Sequence, residues 1–163
     1  MGPEEPLPLA ESEMQAARES VALTFIHINN SFVITSNLDD GYNCVAWAAS
    51  DQEKTWWPSL DDYWPDNVER KNTVESFIEA FGTTGYTPCK SSQLENDVDK
   101  VVLFVKNGQP THMARQLPSG RWTSKLGPEF DIAHASLDDL TGKQYGKPYL
   151  ILCRHHSENL SAK

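Results

Sequence analysis

The sequence predicts an α+β domain, with N-terminal helices lying against an antiparallel sheet drawn from the C-terminal half. Three observations predict it. Val74, Phe77, Ile78 and Phe81 repeat at helical spacing. From Lys100 the pattern turns β-branched, starting with Val101-Val102-Leu103-Phe104-Val105. Asn107-Gly108 then supplies a strong short hairpin signal. Helices first and strands second is the α+β order.

Taken in chain order, residues 1–8 are rich in Pro and Glu and read as a flexible tail. Residues 9–21 have helical composition, and Phe32-Val33-Ile34-Thr35 is a short apolar run of extended character. Residues 37–41 form a turn, and a helix follows from about Cys44 to Ser50, with Asp39 or Asp40 offering its N-cap. Residues 54–67 hold Trp56, Trp57, Pro58, Tyr63, Trp64 and Pro65, an irregular aromatic loop. Asn72 is placed to cap the 72–81 helix, Glu75 to complete a capping box, and Gly82 to close it.

Residues 100–117 read as a hairpin with His112 opposite about Leu103. Residues 121–125 follow as a third strand, 137–140 as a helical turn and 148–153 as a final, wholly apolar strand. The division is a tail at 1–8, a single domain at 9–154 and a second flexible tail at 155–163.

Composition narrows the function. The 163 residues suit one domain, and five Trp, five Tyr and six Phe belong to a globular chain. A net charge of −9 opposes a nucleic-acid footprint, which needs a basic face. No apolar run approaches a membrane span, and the acidic N-terminus is unlike a signal peptide, so the expected setting is the cytoplasm. Cys44, Cys89 and Cys153 are odd in number and widely spaced, which reads as reduced thiols rather than a disulfide framework. Neither Cys nor His falls at a metal-ligand spacing and no phosphate loop is present, so no metal or other cofactor is expected.

The residues that carry chemistry are Cys44 and His112. A thiol attacks as thiolate, and a helix N-terminus favours negative charge in its first turn. Asn43 stands ready to add a side-chain donor for an oxyanion beside the Cys44 N–H. His112 and Ala114 share one face of their strand, Met113 the other, and the small Ala114 leaves room for a helix end. Ser124, Asp131 and His134 are the candidates for holding the imidazole. The plain alternative is a small buried Cys beside Val45 and Trp47 and a histidine that satisfies one buried hydrogen bond. Trp57 and Trp64 are candidates for the rim of a substrate cleft, although packing accounts for most rings in that loop. Arg115 and Lys125 are candidates for a basic substrate-binding spot, against the alternative of a solvated strand face.

The segments Asn43-Cys44-Val45-Ala46-Trp47-Ala48, Thr111-His112-Met113-Ala114-Arg115 and Trp122-Thr123-Ser124-Lys125-Leu126-Gly127 resemble those of an uncharacterised bacterial domain family. Ile132-Ala133-His134 and Tyr145-Gly146 also fit it, and the likeness runs over about 37–154. More loosely, a cysteine at a helix start followed by a strand histidine is similar to papain-like cysteine hydrolases of the NlpC kind. That wider likeness implies a papain-like fold with Cys44 as nucleophile and His112 as base, acting on a peptide or other amide-containing substrate, a protein included. It departs from the wider pattern in having no obvious acid or amide on the strand after His112. The competing expectations are a non-catalytic interaction module on the same scaffold, and a bacterial effector that deamidates a protein.

Overall fold

The structure, a computed structural model, describes residues 4–156. The elements are α1 (Glu11–Thr24), β1 (Val33–Ile34), α2 (Cys44–Ala48), α3 (Val74–Gly82), β2 (Thr87–Cys89), β3 (Val98–Lys106), β4 (Gln109–Gln116), β5 (Trp122–Lys125), β6 (Asp131–His134), a 3₁₀ turn (Leu137–Leu140) and β7 (Lys147–His155). All strands pair antiparallel in one sheet of order β1-β6-β5-β4-β3-β7-β2. The architecture is mixed helix and antiparallel sheet, as the patterning predicts.

The sheet is covered on both faces, so two apolar cores form. On one face α1 contributes Ala17 and Val21, joined by Phe25, against Val102, Phe104, Ala114, Trp122 and Ile132. On the other, α2, α3 and the aromatic loop bury Val45, Trp47, Trp56, Trp64, Phe77 and Phe81 against Val101, Leu103, Met113 and Leu152. Period-two alternation explains the division: neighbours on β3 and β4 go to opposite cores. The middle of β3 is fully buried for this reason.

Several local expectations change. The α3 N-cap is Thr73, whose side chain accepts from the Ser76 N–H, rather than Asn72 with Glu75. His112 pairs with Phe104, not Leu103, because the Asn107-Gly108 turn is tight and a bulge follows Phe104. The apolar run in β7 is only partly buried, and Tyr149 is exposed. Glu4 and Leu7, within the expected tail, are tied to Ser119 Oγ and the Ile34 carbonyl. Residues 1–3 and 157–163, the ends of the two expected tails, lie outside the described residues.

The cysteine expectation is overturned. β2 was not legible as a strand, yet it pairs with β7 and brings Cys89 to Cys153, their Cα atoms 5.9 Å apart, in a disulfide. Cys44 is the one free thiol among the described residues. Among those residues no helix is long and apolar enough to cross a membrane.

Candidate active site

Helix α2 begins where Asn43 turns from extended backbone and its Oδ1 accepts the Ala46 N–H at 3.0 Å. The same amide fastens the aromatic loop, accepting from Trp56 N at 3.0 Å and donating to Trp56 O at 2.7 Å. Asn43 is thus the cap, a role expected of Asp39 or Asp40. Asp39 instead closes a turn by accepting the Gly41 N–H at 2.8 Å. The Asn43 amide is engaged in this fastening rather than standing ready as an oxyanion donor.

All five residues of α2 are buried, and Cys44 is 8% exposed. Burial pushes its thiol up to about 11, outweighing the N–H groups of Met113, Val45 and Cys44 itself, which favour the thiolate. The lowered thiol pKa expected from the helix N-terminus is therefore reversed: five residues make a weak dipole, and desolvation wins.

His112 is fully buried, and its ring sits in a chain of hydrogen bonds. Nε2 lies 3.0 Å from Ser124 Oγ, which lies 2.8 Å from His134 Nε2, while His134 Nδ1 lies 3.0 Å from the Ser136 carbonyl oxygen. That carbonyl can only accept, so it fixes every proton upstream. His134 carries its proton on Nδ1, its Nε2 accepts the Ser124 hydroxyl, and Ser124 Oγ accepts from His112 Nε2–H. The lone pair of neutral His112 is then on Nδ1, a buried atom with no hydrogen-bond partner among the described residues.

Both rings are held neutral. Burial, with the nearby His134, keeps His112 well below the usual imidazole range, and burial lowers His134 to about 4. Asp139 Oδ2, 3.9 Å from His134 Nδ1, accepts the Ser136 N–H at 3.0 Å and so steadies the acceptor end of the chain.

The chain of groups settles which candidates meet. Ser124 and His134 join His112. Asp131 does not: it lies on the opposite face, where Tyr42 Oη donates to its Oδ2 at 2.6 Å and Lys125 Nζ stands 3.9 Å from its Oδ1. Lys125 is fully buried under the Tyr42 ring and donates to the Glu129 carbonyl at 2.5 Å, so it forms no exposed basic spot. Trp64 is core, 2% exposed and edge-on to Phe77, with its N–H on the Glu69 carbonyl. Trp57 is half-buried against Phe77. Arg115 stacks on Trp47 and donates to the Trp47 carbonyl, securing the end of α2 to the sheet.

Helix α2 lies on the Met113 face, where Trp47 Nε1 donates to Thr123 Oγ1, whereas His112 belongs to the α1 face. The expected approach of a helix end over Ala114 is therefore wrong in its choice of face. β4 and β5 part close to this point. Those strands pair at Arg115↔Thr123 and Gln116↔Trp122 and no further, and beyond that point the Met113 N–H serves the Cys44 sulfur.

Tyr145 completes the setting, a role that no motif in the sequence announces. Its ring lies flat on the His112 imidazole, centroids 4.0 Å apart and planes at 8°. The phenol is pushed up by burial and by the field of a charged Cys44. Gly142 and Gly146, which bracket Tyr145 and bond to each other, were the available signal.

No curated protein and no solved structure matches the chain. A family model described as a domain of unknown function, DUF7689, matches residues 33–153, which takes in β1, α2 and every residue of the His112 chain. By that match the protein belongs to the DUF7689 family.

Proposed function

We propose that the protein is a papain-like thiol hydrolase acting on an amide or peptide-type bond, with Cys44 as nucleophile and His112 as base. One observation carries the reading: His112 is pinned through Nε2 while Nδ1 presents a lone pair with no partner among the described residues. A hydrogen-bonded histidine that served packing alone would not need a buried acceptor left open. At rest the pair is thiol and neutral imidazole.

In the reaction the Cys44 proton passes to His112 Nδ1 as the sulfur attacks the carbonyl carbon. The developing oxyanion would be received by backbone N–H groups, for which those of Cys44 and Met113, now turned to the sulfur, are the candidates. The imidazolium gives its proton to the leaving amine, and a thioester remains. Water, deprotonated by His112, then releases the acid and restores the thiol. Ser124 and His134 act as positioning residues that hold the imidazole and its tautomer. Release of ammonia from a glutamine side chain is the same sequence with a different leaving group, so a deamidase falls within the proposal.

The test is acylation by p-nitrophenyl acetate, followed by intact mass. We expect one acetyl group on Cys44, slowed at least 100-fold in His112→Gln and about tenfold in Ser124→Ala. No adduct, or a rate indifferent to His112→Gln in a folded variant, would sink the reading. A non-catalytic interaction module is the second reading, favoured by burial of the one free thiol and its pKa of about 11. A cytoplasmic setting suits that reduced thiol, whereas the β2–β7 disulfide suits an oxidising compartment.

A further inference from the structure

Between the end of α1 and the 126–130 turn lies a cleft of about 240 Å³, lined among others by Val21, Phe25, Leu126, Glu129, Phe130 and Tyr145. Tyr145 is the residue shared by this cleft and the His112 chain. Its ring stacks on the imidazole, and it also touches Phe25 at 5.3 Å and Phe104 at 6.3 Å between centroids. We infer that this cleft receives the substrate group next to the scissile carbonyl, that the group is uncharged and ring-bearing, and that Tyr145 is the gate positioned between it and His112. The inference rests on the thiol-hydrolase reading for its chemistry, but the binding it describes stands apart from any reaction.

Three features define the occupant. The volume is below the about 300–1,000 Å³ of pockets for drug-sized ligands, so it suits one ring-sized group rather than an extended ligand. Phe25, Phe130 and Tyr145 all line the cleft, so a planar ring entering it meets aromatic faces and edges. Glu129 is the one charged lining residue, and it opposes a carboxylate-bearing group.

Tyr145 is also held in a manner that permits exchange. Its backbone is anchored, with the carbonyl accepting from Thr111 Oγ1 at 2.5 Å and Gly142 and Gly146 closing the strap by reciprocal bonds of 3.0 and 2.8 Å. Its ring is held by stacking. Rotation of the side chain about its first two torsions would clear the imidazole face without unmaking the strap.

The experiment separates binding from chemistry by using Cys44→Ala. N-acetyl-phenylalanine amide, N-acetyl-alanine amide and N-acetyl-glutamate amide are titrated and followed by backbone amide shifts. The expected result is at least tenfold tighter binding of the phenylalanine amide, with shifts at Gly127, Phe130 and Tyr145. Thr24→Trp, an exposed cleft residue, should abolish that binding without disturbing the core. In the protein with its native Cys44, Tyr145→Leu should raise Cys44 alkylation by iodoacetamide at least tenfold. Equal binding of the three amides, or shifts elsewhere, would overturn the inference. Preferential binding with no acylation of Cys44 would keep this inference and defeat the hydrolase, whereas acylation without preference would do the reverse.

Discussion

Acid stability provides a direct test of the buried His112–Ser124–His134 chain. His134 is fully buried and binds its second proton at about pH 4 in the folded protein, against an ordinary value of 6.5. The unfolded chain therefore takes up the proton first as pH falls, and folding stability is lost between about 6.5 and 4. Above 6.5 the group contributes no pH dependence. The fall from 6.5 to about 4 corresponds to about 3 kcal/mol, with a slope approaching about 1.4 kcal/mol per pH unit in mid-window. His112 is displaced in the same direction and adds a second proton of uptake.

The lowered carboxylates Asp51 and Glu95 lose their contribution only as pH falls through their ordinary range near 4, beneath most of the histidine window. Asp131, raised by burial, has the opposite sign and gains stability as pH falls. Urea unfolding at intervals from pH 7.5 to 4.5 reads the slope, and His134→Gln supplies the comparison because an amide oxygen can still accept from Ser124. That variant should lose one proton's worth of dependence. A parent curve that is flat between pH 6.5 and 5, or a slope unchanged in His134→Gln, would refute the neutral, buried state assigned to His134.

Three further outcomes follow from local geometry. Asn43→Ala removes an N-cap bond and both bonds to Trp56, and should cost about 2–4 kcal/mol in urea unfolding. Asn43→Asp keeps the acceptors and should recover part of that loss. Removing the disulfide by Cys89→Ser with Cys153→Ser opens a 64-residue link and should lower stability by about 4 kcal/mol on the chain-entropy account, seen as a lower Tm by calorimetry. Gly146→Ala places a Cβ 2.1 Å from the Val105 carbonyl oxygen at φ +76°, so it should displace the strap and raise Cys44 alkylation even where the sheet survives by circular dichroism.

Elements whose periodicity is long and uninterrupted were legible in the sequence. The α3 stripe and the β3–β4 hairpin both form, because a run of nine residues leaves few alternatives once its apolar face is chosen. β2 and β6 were not legible. Thr87-Pro88-Cys89 and Asp131-Ile132-Ala133-His134 are too short to show alternation, and each becomes a strand only because a longer partner, β7 or β5, offers it a ladder. The disulfide was hidden for the same reason: Cys89 and Cys153 are 64 residues apart, and β2–β7 pairing alone brings them together.

The candidate site divides along similar lines. Ser124, Asp131 and His134 could be named as candidate partners of His112, but not told apart, because a one-residue register choice decides which side chains share its face and the β5–β6 pairing that sets it was not legible. Which face α2 would cover could not be read, since Cys44-Val45-Ala46-Trp47-Ala48 is apolar on every side and carries no directional pattern. That ambiguity carries the chemistry with it. A helix apolar all round sinks into the core, and sinking raises the thiol to about 11 where a half-exposed helix end would have lowered it. Lys125 repeats the lesson from the polar side, since Asp131, Tyr42 and the Glu129 carbonyl make its burial tolerable. The acidity of Cys44 is thus set by desolvation rather than by helix polarity. On the proposed reading, a movement of Tyr145 that admits solvent would alter Cys44 and His112 together, because Tyr145 stacks on the imidazole and feels the charge of Cys44.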